Sequence, residues 1–261
     1  MKKSFLILHR EWLELKRQRG LLFGISVMPV LITLMPVIIT YLVQYVPDSF
    51  QQPLPFEKVN PALLGMTHVE RQQIFIGQTF AVMLLLIPLI VPSVIASYSI
   101  IGEKLARTLE PVLATPITTG QLLFGKCLAA GIPAVVITWI CGAILIIGLA
   151  LVTVSRKVWL AIVSPGWIIV LLLCVPLIVM IAVTAMVAIS SRVNDPRTAQ
   201  QISAVAVIPV LMMFFGQVAG LLVLSPFFAL TAAVVLVVLA LASISLAVRI
   251  FQREVILTRW T

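Results

Sequence analysis

Six apolar runs, each long enough to cross a bilayer, are separated by short polar connections and leave this chain few ways to fold. At ~1.5 Å per residue, a helix needs ~20 residues to cross a hydrocarbon core of ~30 Å. The runs at about residues 21–46, 74–100, 127–152, 166–189, 202–224 and 226–250 all meet that length. With 61% hydrophobic and only 10% charged residues, the chain lacks the polar surface of a water-soluble domain. The reading is an all-α membrane protein: one transmembrane domain, residues 1–261, of six transmembrane helices.

Residues 1–20, MKKSFLILHREWLELKRQRG, precede the first run. Their apolar cluster is only a few residues long and acidic residues follow it, so the stretch is expected to remain in the mature protein rather than to act as a cleavable signal. Phe5, Leu8, Trp12 and Leu15 fall on one helical stripe, joined by Leu6 and Leu13, with Arg10, Glu11, Glu14 and Arg17 assigned to other faces. That pattern predicts an amphipathic helix lying in the interface, its basic residues toward headgroups and water. Pro29 and Pro36 in run 1, Pro88 and Pro92 in run 2, Pro133 in run 3 and Pro176 in run 4 predict bent helices. Residues 47–73, rich in Pro and Gln, read as a loop.

The longest charged segment between two apolar runs is Ile101 to Lys126, IGEKLARTLEPVLATPITTGQLLFGK. Gly102, Glu103 and Lys104 mark where run 2 meets water, since a charge at mid-bilayer costs ~2.5–3.5 kcal/mol on the mildest scale. From Lys104 to Ala114, Leu105, Leu109, Val112 and Leu113 share one helical face too short to span. Thr115-Pro116 breaks the chain. Thr118 with Gln121 fits a capping box, and Ile117 with Leu122 the accompanying hydrophobic staple. The segment therefore reads as a helix, a sharp turn and a freshly capped helix at one membrane surface.

This stretch closely resembles the segment after the second span in ATP-binding-cassette exporter permeases of the type-2 family. The family pattern, roughly I-x-G-E-K-x-x-x-T-L-E-x-L-L-x-T-P-I followed by a helix start and G-K, is met by Ile101, Gly102, Glu103, Lys104, Thr108, Leu109, Glu110, Leu113, Thr115, Pro116, Ile117, Gly125 and Lys126, with Val112 in place of the usual leucine. The resemblance implies a coupling helix that docks on a separate P-loop ATPase subunit, with Glu103, Lys104, Arg107, Thr108, Leu109, Glu110, Thr115 and Pro116 as the coupling residues. It also implies that residues 1–20 are an amphipathic elbow helix near that contact, and that two permease copies assemble through their first and fifth spans. ATP and magnesium belong on the partner, leaving this chain with no cofactor of its own. The competing reading of the stretch is an interfacial helix that only fixes the span ends.

The second charged connection, residues 190–200, reads SSRVNDPRTAQ, with Asp195 as helix cap and Pro196 as first helical residue. It too is similar to a cytoplasmic turn of that family, which makes Arg192, Asp195 and Arg197 candidates for a secondary cytoplasmic contact. Gly216 and Gly220 form a small-xxx-small pair suited to packing within a protomer or to a dimer contact. Of eighteen Lys and Arg, fourteen lie on the side of the termini and four on the other, although Arg156 and Lys157 oppose that bias locally. Both termini are thus expected in the cytoplasm, in a multi-pass protein of a bacterial cytoplasmic (inner) membrane.

Several chemistries are disfavoured. The net charge of +9 lies at span ends, where topology explains it better than nucleic acid does. Gly120 to Cys127 matches a GxxxxGK phosphate loop except at its end, where Cys127 replaces the required hydroxyl residue and no strand precedes. His9 and His68 lack partners, and Cys127, Cys141 and Cys174 lie in or beside apolar runs with no CxxC spacing, so neither catalytic nor metal residues are assigned. The spans hold Gln44, Gln78, Gln217, Ser93 and Ser97 but almost no ionisable groups, which disfavours a proton relay or an intramembrane protease. The expected function is the permease of an ABC exporter for an apolar or amphipathic substrate. The alternatives are a membrane anchor of an ATPase-linked maturation complex, and an uncoupled secondary carrier.

Overall fold

The computed structural model describes residues 2–17, 19–46, 65–105, 119–190, 192–193, 195–219 and 225–250. Every regular element among them is helical: α1 (Lys2–Arg17), α2 (Arg19–Leu42), α3 (His68–Met83), α4 (Ile87–Leu105), α5 (Thr119–Val152), α6 (Arg156–Ile162), α7 (Pro165–Ile169), α8 (Val175–Ser190), α9 (Pro196–Ser203), α10 (Ile208–Val218) and α11 (Pro226–Ile250). Six segments are long and apolar enough to cross a membrane: Leu22–Tyr45, His68–Gly102, Phe124–Val152, Pro165–Ser190, Pro196–Val218 and Pro226–Ala247.

Two of these begin about six residues earlier than hydropathy suggests. Span 2 starts at His68 rather than near residue 74, because Thr67 and Glu70 form a full capping box: the Thr67 hydroxyl accepts from the Glu70 amide and Glu70 accepts from the Thr67 amide. The polar residues 70–73, read as loop, form the helix's first turns. Span 5 starts at Pro196 rather than near 202, where the Asp195 carboxylate accepts from the Thr198 amide and Pro196 needs no partner for its missing N–H.

Three prolines shape the helices through the carbonyl they leave without a donor. Pro88 cannot bond Leu84, and the Ile87 amide takes that carbonyl instead, so residues 84–86 tighten into a 3₁₀ turn. Pro209 acts alike: the Ile208 amide bonds Val205 and residues 204–207 form a 3₁₀ turn. At Pro176 the helix widens instead. Residues 170–174 form a π turn in which the Val175 amide bonds Val170, and Pro176 offers no N–H to the Leu171 carbonyl. The indole N–H of Trp139 on α5 donates to that carbonyl at 2.9 Å.

Spans 2 and 4 form the centre. The most apolar window of span 2 is 78% buried and that of span 4 is 44%, against 22%, 11% and 17% for spans 1, 5 and 6. Helix α4 packs on α8, α5 and α9, while α8 also meets α11 and α5; α2 lies on α5 and α3, and α10 on α3. Leu84, Ile87, Ile101, Leu145, Val175 and Met186 are fully enclosed in this core. The outer helices turn Phe23, Leu31, Met35, Val205, Met212 and Val234 outward over continuous apolar faces. In water such faces would drive aggregation; against lipid tails they are at equilibrium. Helix α5 has 34 residues, hence about 51 Å of length, so its ends must stand beyond a ~30 Å core.

A candidate coupling face

At the end of the bundle that carries α1, α4 leaves the core and α5 enters it. Ile101 is wholly buried and Gly102, the last residue of span 2, is exposed. Glu103 and Lys104 lie in the last turn of α4, which ends at Leu105. Arg107, Thr108, Leu109, Glu110, Thr115 and Pro116 lie outside the described residues, as does the predicted cap Thr118; α5 begins at Thr119. The stretch therefore connects two helices packed side by side, one of them in the most buried span.

Lys126, the last residue of the motif, is buried on α5 and its ammonium reaches two other helices. It donates to Glu11 Oε1 of α1 at 2.7 Å and to Ser99 Oγ of α4 at 2.9 Å. The Lys126 and Glu11 side chains keep only 3% and 7% of their exposure. The sequence pattern puts Glu11 on a face other than the apolar stripe, and the structure corrects that. Leu8, Glu11 and Leu15 share one stripe at i, i+3 and i+7; Glu11 is buried, Leu8 and Leu15 are half-buried, and Trp12 and Leu13 point outward. A carboxylate is stable on this stripe because a cation meets it there. The signal was the spacing of Glu11 from Leu8 and Leu15.

Two residues before Ser99, the Ser97 hydroxyl accepts from Gln200 Nε2 of α9 at 3.1 Å. That bond seats the second charged turn beside α4, with Ala199 wholly buried beneath it. Asp195 and Arg197 are exposed on this turn and Arg192 is exposed just before it. The Asp195 carboxylate accepts from both the amide and the hydroxyl of Thr198, and the amide bond is the first cause of its lowered pKa; Arg197 assists. The last turns of α4 thus gather α1, α5 and α9.

Toward the opposite end, glutamines tie the helices together. Gln73 is fully buried, donating to the Thr40 carbonyl of α2 at 3.1 Å and accepting from the Val154 amide at 3.1 Å. Gln44 donates to the Val152 carbonyl, Gln78 to that of Ala161, and Gln217 on α10 to Gln78 Oε1. The glutamines in the spans serve interhelical bonding. Gly216, one residue before Gln217, is half-buried on the helix that packs against α3, while Gly220 lies outside the described residues. Among the described residues no cluster of His, Cys, Asp and Glu could hold a metal.

A cavity of about 520 Å³ lies between α2, α4 and α9, with Gly24, Met28, Ile32, Val94, Tyr98 and Gln200 in its wall. A second apolar hollow of about 700 Å³ is bounded by α5, α8 and α11. No curated protein matches the chain. Residues 5–229 match the family model described as ABC-2 family transporter protein. With that match over most of its length and six membrane-crossing helices, the chain belongs to the ABC-2 family, whose members are membrane transport components that work with an ATP-binding subunit.

Proposed function

We propose that this chain is the transmembrane subunit of an ABC exporter, moving an apolar or amphipathic molecule with ATP hydrolysed by a separate P-loop ATPase. The observation that carries the reading is the position of the charged stretch: it joins α5 to α4, the helix of the most buried span, so a push on it reaches the centre of the bundle. Glu103 to Pro116 docks on the ATPase, and Arg192, Asp195 and Arg197 add a second contact on the same side. The excess of basic residues on that side, fourteen of eighteen, supports the reading that it and both termini face the cytoplasm from a bacterial inner membrane.

Two copies face each other through spans 1 and 5, whose apolar faces are largely uncovered in one chain. The cavity between α2, α4 and α9 then forms part of the wall of the path. Its apolar lining, with Tyr98 and Gln200 as polar points, matches a substrate that does not need charges to replace lost hydration. Charge reversal at Arg107 and Glu110 together tests the assignment. Expected is loss of ATPase binding by a chain that still inserts in the membrane; retained binding and retained transport would sink it.

A further inference from the structure

We infer that Lys126 is a positioning residue: with Glu11 and Ser99 it locks α1, α4 and α5 into one unit that moves with the charged stretch. The mechanical meaning rests on the coupling reading above, but the lock itself is a matter of geometry. Its ammonium reaches α1 through Glu11 Oε1 at 2.7 Å and α4 through Ser99 Oγ at 2.9 Å, from a seat on α5. These contacts join both helices that flank the stretch to the N-terminal helix. The ion pair of Arg10 with Glu14, by contrast, is exposed and lies within α1.

A buried ion pair is a poor way to gain stability, because desolvating both charges offsets most of their attraction. Its distinctive property is register. Two apolar stripes slide past one another with small change in energy, whereas a buried carboxylate has one acceptable position, opposite its cation. Leu8 and Leu15 alone would let α1 shift along α5; Glu11 between them allows a single setting. A helix so fixed follows α4 and α5 when they tilt.

The test is a pair of spin labels in the assembled complex purified from its host with its ATPase, in a background lacking Cys127, Cys141 and Cys174. Labels replace Leu13 on α1 and Phe124 on α5, both exposed. The lock predicts a narrow distance distribution that widens in the double variant Glu11→Leu/Lys126→Met, which removes both charges of the buried pair together. A double variant as narrow as the parent overturns the proposal, since apolar packing would then fix α1 unaided. A second label pair, at Gly102 and Val205, reports span movement on trapping with ATP, magnesium and vanadate. Expected is a shift at that pair with none between Leu13 and Phe124; a shift of Leu13 relative to Phe124 overturns the rigid unit. If Gly102 and Val205 do not move, the coupling reading fails, while the widening in the double variant still decides the lock.

Discussion

The bond from Trp139 to Leu171 exists because Pro176 withholds an N–H, and that causal claim can be measured. In Trp139→Phe the carbonyl of buried Leu171, inside span 4, loses its donor. Leaving a buried acceptor unmade costs ~1–3 kcal/mol in proteins generally, and interhelical bonds in membranes average ~0.6 and reach ~1.7 kcal/mol. About 1 kcal/mol is therefore expected from the bond, beyond the packing lost when an indole becomes a phenyl ring. A double-mutant cycle removes the packing contribution. In Pro176→Ala, position 176 regains an N–H that reaches the Leu171 carbonyl in the π register, so the indole donor becomes redundant. Reversible unfolding in mixed micelles, read by tryptophan-independent far-UV dichroism, should give Trp139→Phe a loss about 1 kcal/mol smaller in the Pro176→Ala background than in the parent. Equal losses in both backgrounds would refute the account of the π turn.

Other consequences follow from close contacts and caps. A Cβ on Gly77 of α3 would stand 2.7 Å from the Ile162 side chain, so Gly77→Ala should destabilise the protein by ~1–3 kcal/mol as overpacking forces α6 away; an unchanged melting temperature in detergent would contradict that fit. Thr67→Ala removes half of the capping box and should cost span 2 about 1 kcal/mol locally, seen as faster amide exchange at Glu70. Protection as strong as in the parent would show that the first turn does not depend on its cap. Asp195 has a lowered folded pKa, so its capping contribution is present above the ordinary carboxylate value and is lost as pH falls through the folded value. Exchange at the Thr198 amide should rise over that acidic interval in the parent but not in Asp195→Ala; the same profile in both would remove the cap from the account.

Hydropathy alone made the six spans legible, because a bilayer leaves long apolar segments no other stable form. What it missed lies where polarity and burial part company. The turn from Glu70 to Gln73 reads as loop because it is polar, yet its groups are spent on a cap and on Thr40 and Val154 across the bundle. The Thr67–Glu70 spacing was the available signal. Glu11 is expected off the apolar stripe, although its spacing from Leu8 and Leu15 puts it on the buried one; only the fold brings Lys126 opposite it, 115 positions away. Prolines announced bends but not their form. Whether a carbonyl freed by proline is taken by a 3₁₀ bond, as at Leu84, or by a side chain from another helix, as at Leu171, depends on what packs nearby.

The most direct test of the central claim is purification of the tagged chain from its native host in mild detergent, with and without residues 103–110. ATP hydrolysis and the identity of every co-purifying protein are measured together. The account predicts that a P-loop ATPase accompanies the intact chain and is lost from the deleted one, which still inserts in the membrane. An intact chain that brings down no ATPase under conditions preserving its assembly, or a deleted chain that retains one in full, would contradict it.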